Sequence, residues 1–187
     1  VLPIGLRMTT ASAQCLDIKE QTLQTEEITF HIKDARTKDI RVYCFVCTGN
    51  TCRSPMGEAL LNHYGAPYGI FAFSRGIAVM PGAPISENAA AALSAAGIVS
   101  EGRNDYLSHR AMQFSKEDFE RCDGVFAISP SHAHALMLAF PEYAGKIRVL
   151  GDIADPFGGS LDDYTACLGD IKEGIKAVFP YIFEDEN

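Results

Sequence analysis

From residue 40 onward the chain repeats one rhythm, a short apolar run, then a loop, then a longer helical stretch, and few architectures satisfy it. Strands that alternate with helices pair in parallel, because each parallel crossover needs a connecting segment long enough to hold a helix. The sheet that results is buried on both faces, so its strands read as nearly continuous apolar runs. Such runs occur at 40–46, 69–74, 124–128 and 146–150. Helices are predicted over 55–63, with Pro55 in the first turn, and over 84–96, closed by Gly97. Ser115 followed by Asp118 is a capping-box pattern that opens a short helix. Ser129-Pro130 starts another, running to about residue 140. The last helix spans about 160–179, with Tyr164, Leu168, Ile171, Ile175 and Val178 on its apolar face. The expected fold class is α/β, three-layer, a four-stranded parallel sheet with helices on both faces.

Residues 1–39 do not share this rhythm. They are polar, rich in Thr and Gln, and only 28–32 alternates like a strand. Two readings stand for this extension of unknown role: a hairpin adding an edge strand to the sheet, or an unstructured arm. The expected organisation is therefore 1–39 as extension and 40–187 as the functional domain. A net charge of −8 argues against nucleic acid or an anionic membrane surface as partner, since both reward basic patches. No apolar run approaches the ~20 residues of a spanning helix. The six cysteines are sparse and irregularly spaced, and several fall inside apolar runs. That usage fits a reducing compartment, the cytoplasm, with most thiols serving as small hydrophobes.

Cys47 and Cys52 are the exceptions, because both lie in the loop between the first core strand and its helix, Cys47-Thr48-Gly49-Asn50-Thr51-Cys52-Arg53-Ser54. In an open parallel sheet, ligands bind outside the carboxyl ends of the strands, and this loop follows such an end. A Cys and an Arg five residues apart at a helix start can wrap one small anion. Backbone N–H groups and the helix N-terminus supply partial positive charge. Arg53 adds a planar fork that matches two phosphoryl oxygens. The same field favours a thiolate at Cys47. Gly49 permits a close backbone approach, Asn50 tolerates a left-handed turn, and the Ser54 hydroxyl can donate to the thiolate. Cys44-Phe45-Val46-Cys47 is formally a Cys-x-x-Cys pair, but Cys44 lies within the strand and no second ligand pair has zinc spacing. A nucleotide P-loop is excluded by the absence of a Gly-Lys-Ser/Thr ending. No metal and no cofactor is expected.

The run Val46-Cys47-Thr48-Gly49-Asn50-Thr51-Cys52-Arg53-Ser54-Pro55-Met56 resembles the signature of the low-molecular-weight protein tyrosine phosphatases. The resemblance covers about 40–179 and includes Ser74-Arg75-Gly76, His109-Arg110 and Asp155-Pro156-Phe157-Gly158-Gly159. It implies a protein phosphatase that works through a phosphocysteine intermediate on a phosphorylated protein substrate, without metal. It implies Cys47 as nucleophile, Arg53 as phosphate clamp and Asp155 as general acid. Asn50, Ser54, Ser74 and His109 match the family's supporting hydrogen-bond network. Thr48, Gly49, Thr51 and Cys52 complete the loop. Many eukaryotic members carry adjacent tyrosines after Asp-Pro, where this chain has Phe157-Gly158-Gly159. Together with Thr48 and Thr51, that tail looks more like bacterial members, including those that remove phosphate from arginine. Phosphotyrosine is the favoured substrate and phosphoarginine the alternative. A non-catalytic phosphoprotein-binding module is the reading from another class.

On chemistry alone the acid has two candidates. Asp155 lies on a loop at the sheet end that carries Cys47, with Pro156 stiffening its backbone, and Asp152 lies three residues nearer the strand. His132 and His134, two apart on a predicted helix, do not align as a metal pair and are expected at the surface.

Overall fold

The computed structural model describes residues 40–186, so the extension 1–39, its candidate strand at 28–32 and Cys15 lie outside the described residues. The four strands are β1 (Arg41–Cys47), β2 (Ile70–Gly76), β3 (Gly124–Ala127) and β4 (Ile147–Val149). The helices are α1 (Arg53–Gly65), α2 (Glu87–Ala95), α3 (Lys116–Glu120), α4 (Pro130–Ala139) and α5 (Leu161–Val178). All strand pairs are parallel and the order is β2-β1-β3-β4.

Period-two alternation along the strands builds two separate cores. Phe45 and Cys47 of β1 and Phe126 of β3 point to one face, where they meet Met56 and Leu60 of α1, Leu93 of α2 and Ile171 and Ile175 of α5. Cys44 and Val46 of β1 and Val125 and Ala127 of β3 point to the other, against Phe119 of α3 and Leu136 of α4. The central strand is buried on both sides, so its sequence is an unbroken apolar run rather than an alternating one. The three-layer expectation is met. The same alternation disposes of the Cys44–Cys47 dithiol: three residues apart on a strand, the two side chains belong to opposite faces.

Local signals set the helix ends with small shifts from the sequence reading. The second helix starts at Glu87 rather than near residue 84, because the Ser86 hydroxyl accepts from Ala89 N and caps it there. It ends as expected at Gly97, whose φ of 77° allows Ile98 N to bond Leu93 O and Gly97 N to bond Ser94 O. In α5, Tyr164, Leu168, Ile171 and Ile175 are buried as predicted, but Val178 is exposed, and Phe179 enters the core in its place as the helix ends.

The strand order decides where the loop after β1 goes. β2 leaves β1 on one side and β3 lies on the other, so the carboxyl end of β1 opens into the crevice between two diverging connections. The loop lies tight against β2. Thr48 O accepts from Ala78 N at 3.0 Å, and Cys47 O accepts from Ile77 N at 3.0 Å. A Cβ at Gly76 would stand 2.5 Å from Thr48 O and 2.5 Å from Val79 Cγ1. Gly76→Ala should therefore push the loop off the strand end. The expected cost is about 1–3 kcal/mol of overpacking in urea unfolding, with weaker binding of inorganic phosphate; an unchanged phosphate affinity would mean that the contact does not shape the loop.

Candidate active site

The loop 48–52 holds its curve through Asn50, the only non-glycine residue with positive φ among the described residues, at 56°. Asparagine tolerates the left-handed region because its short amide can bond locally. Here the amide is fully buried and every one of its polar groups is used. Nδ2 donates to Ser54 Oγ at 3.0 Å and to Ser74 Oγ at 2.9 Å, and Oδ1 accepts from Met112 N at 2.9 Å. The backbone carbonyl of Asn50 bonds His109 Nε2 at 2.8 Å. Ser74 Oγ in turn donates to Glu58 Oε2 at 2.6 Å. Burial raises Glu58 above the ordinary carboxyl value and lowers His109 below the ordinary imidazole value. Their 4.0 Å approach is thus a contact between groups that burial drives toward neutrality rather than a strong ion pair. His109 thus meets the loop at the backbone of Asn50.

At the head of the loop, Cys47 Sγ stands 3.0 Å from Ser54 Oγ. Ser54 Oγ has one proton and two acceptors within reach, Cys47 Sγ and Arg75 O at 3.2 Å. A thiolate takes that proton in preference to the neutral carbonyl, since bonds to charged acceptors are the stronger. Arg53, 6% exposed, donates to Ile153 O at 3.2 Å and to Asp155 Oδ2 at 2.5 Å, while its Nε is the one buried side-chain polar atom without a partner among the described residues. A buried guanidinium N–H with no acceptor is costly in a finished core and useful in a site that receives an anion.

These groups line one cavity of about 210 Å³. Its wall runs from Cys47 through Thr48, Gly49, Thr51, Cys52 and Arg53, with Asp155 and Phe157 on the far side. Asp155, not Asp152, is the carboxylate on that wall and the partner of Arg53. Its loop is tethered: Phe157 N donates to Asp155 Oδ1 at 3.2 Å, Gly159 N to Pro156 O at 2.9 Å, and Asn88 Nδ2 to Gly159 O at 3.1 Å. Ser160 and Asp163 then cap α5 reciprocally. Phe157 itself is 77% exposed at the mouth. Ser74, Asn50, Ser54 and His109 lie behind the wall, as struts rather than lining.

Three participants were not anticipated. His132, expected at the surface, is 3% exposed and bonds Thr48 Oγ1 at 2.9 Å; only His134 is exposed. The helix start set by Ser129-Pro130 turns position 132 inward, toward β1. Glu58 reaches the network through Ser74, and Tyr164 OH lies 3.3 Å from Cys52 Sγ. Cys52 also donates to Ser86 Oγ at 3.5 Å, so it ties the loop to α2 and α5. Burial pushes Cys122 and Cys167 up to about 11 and about 12, which keeps both as protonated packing thiols.

A model of the low molecular weight phosphotyrosine protein phosphatases matches residues 42–186. The chain belongs to that family. A protein-arginine-phosphatase of Geobacillus stearothermophilus is 36% identical over 136 residues, covering 68% of this chain and 86% of the relative. A probable low molecular weight protein-tyrosine-phosphatase of Ralstonia nicotianae is 31% identical, covering 76% of this chain and 97% of the relative. Among solved structures, a low molecular weight protein tyrosine phosphatase from T. tengcongensis superposes with a TM-score of 0.69 at 34% identity, covering 75% of this chain and 98% of that one. The arginine phosphatase structure from Geobacillus stearothermophilus gives 0.67 at 33% identity, covering 78% and 95%. Family membership makes the chain a cysteine-dependent phosphatase.

Asn50→Gly separates backbone from side chain, because glycine keeps positive φ accessible while deleting three buried hydrogen bonds. At about 1 kcal/mol net per bond, urea unfolding should show a loss of about 2–4 kcal/mol. A loss below about 1 kcal/mol would mean that the amide is not what holds the turn.

Proposed function

We propose that the chain removes phosphate from a protein side chain through a phosphocysteine on Cys47, and the observation that carries this is the shared cavity of Cys47, Arg53 and Asp155. Arg53 and the loop hold the phosphoryl group. The Cys47 thiolate attacks phosphorus, the S–P bond forms and the bond to the leaving atom breaks, and the leaving atom takes its proton from the Asp155 carboxyl. Asp155, now a carboxylate, takes a proton from water. The water oxygen attacks phosphorus, the S–P bond breaks, and the thiolate returns with the Ser54 proton available to it. Arg53 supports both halves of the cycle. A bound phosphoryl group competes with Asp155 for the guanidinium, which frees the carboxyl to turn toward the leaving atom. The cycle requires a Cys47 that is not held in a disulfide, which fits a reducing, cytoplasmic setting. No helix among the described residues is long and apolar enough to cross a membrane.

Cys47→Ser should abolish turnover yet retain phosphate binding, since Arg53 and the loop remain. Asp155→Ala should lose far more activity on phenyl phosphate than on an activated nitrophenyl ester, because a good leaving group needs little protonation. Activity retained in the first variant, or equal losses in the second, would remove these roles.

Phosphotyrosine is the substrate that the family description and several relatives carry in their names. Two observations favour phosphoarginine instead: Thr51 lies on the cavity wall, and a relative named for arginine phosphatase activity is 36% identical. A hydroxyl can bond the guanidine nitrogen, whereas an aliphatic side chain packs better on a phenyl ring. Sites that bond a polar group discriminate more strongly than sites that sense size. Parallel assays on phosphotyrosine and phosphoarginine peptides decide between the two. If phosphoarginine is preferred, Thr51→Ile should lower its kcat/KM and raise that for phosphotyrosine; an unchanged ratio would remove Thr51 as the selector.

A further inference from the structure

The first residue of the phosphate loop is gripped from two sides. On the β2 side, Thr48 O accepts from Ala78 N at 3.0 Å, so its backbone is tied to the segment that continues that strand. On the β3 side, the Thr48 hydroxyl lies 2.9 Å from His132 Nε2, at the start of the helix that follows β3. The other ring nitrogen, Nδ1, stands 2.7 Å from Ser129 Oγ, which lies 2.8 Å from Ser131 Oγ. His132 is 3% exposed and Ser129 6%. Burial, reinforced by Arg53 and opposed by Asp155, lowers His132 below the ordinary imidazole value. A neutral ring has one donor and one acceptor, and here each nitrogen meets one hydroxyl, so the ring is fully used and cannot turn.

We propose that His132 is a positioning residue of the phosphatase reaction, acting through Thr48 to fix the backbone that directly follows Cys47 and thereby the aim of the Cys47 sulfur at the phosphoryl group. The inference rests on the site assignment above. Cys47 is held on the β2 side by strand pairing and by Ile77 N on its carbonyl, its sulfur meets Ser54 Oγ, and through Val46 it lies next to the β3 pairing. Beyond Val46, the β3-side tie of this stretch is the Thr48 hydroxyl on His132. Without His132, Thr48 keeps its β2-side backbone bond and loses its β3-side anchor. Small errors in aim weigh heavily on a displacement at phosphorus, where the attacking and leaving atoms must be in line.

The two amide replacements of histidine separate this role from mere helix-start packing. The amide end of glutamine reaches the Nε2 position and can bond Thr48, whereas that of asparagine reaches only the Nδ1 position and can bond Ser129. Turnover of a nitrophenyl phosphate by the full chain should fall roughly tenfold in His132→Asn and His132→Leu, the order expected for one lost aligning bond. His132→Gln should recover most of that loss. Thr48→Val should fall by a similar factor. The double variant Thr48→Val with His132→Asn should fall no further than either single change, since both remove the same contact. Thermal midpoints of each variant show whether activity merely follows stability. The proposal is overturned if asparagine serves as well as glutamine, if Thr48→Val retains full activity, or if the two changes multiply. Cys47→Ser in parallel keeps the failures distinct: turnover surviving there removes the site assignment, whereas Cys47-dependent turnover indifferent to the choice at 132 removes only the role of His132.

Discussion

Asn50 turns the chain through a left-handed conformation with its amide fully buried, and a buried amide is tolerable only when all its polar groups are met. That requirement organises the surroundings. Ser54 and Ser74 must present oxygens, Met112 must present its N–H, and His109 must reach the carbonyl. The four come from α1, β2 and the long connection before α3. The turn is bonded to side chains and backbone outside it, so its shape is imposed by these outside partners.

The charge distribution follows the same logic of local control. The chain carries a net charge of −8, so the long-range field repels a phosphorylated substrate. Attraction is confined to a cavity where Arg53 is buried and one of its N–H groups lacks a partner. Interactions in such a desolvated niche are screened far less than those at the surface, so a single buried guanidinium can outweigh a distant negative excess.

Much of this was legible from the sequence, for a definable reason. The loop from Cys47 to Ser54 is contiguous, so its spacing encodes its geometry, and the alternating apolar runs encode the sheet. Asp155 was placed at the right sheet end because it follows the last strand. The inward position of His132 is hidden in the sequence, because its spacing from His134 speaks only to a metal pair while its partner Thr48 lies 84 residues away. The contacts of Glu58 with Ser74 and of Tyr164 with Cys52 are hidden for the same reason, since they depend on which elements pack beside α1. Val178 was assigned to a buried stripe by period alone, but the helix ends before its side chain can be covered, and Phe179 takes the core position. Periodicity describes a helix as if it had no ends.

The loop that carries Asp155 is fastened by backbone groups and by Asn88, and none of its tethers passes through the ring of Phe157. The residue at the tip is therefore a replaceable fitting on a fixed bracket. Exchanging it reshapes the rim that a polypeptide meets, while the carboxyl behind it stays registered to Arg53. Within such an arrangement, preference among targets can drift through successive changes at one exposed position without each change being tested against the survival of the chemistry.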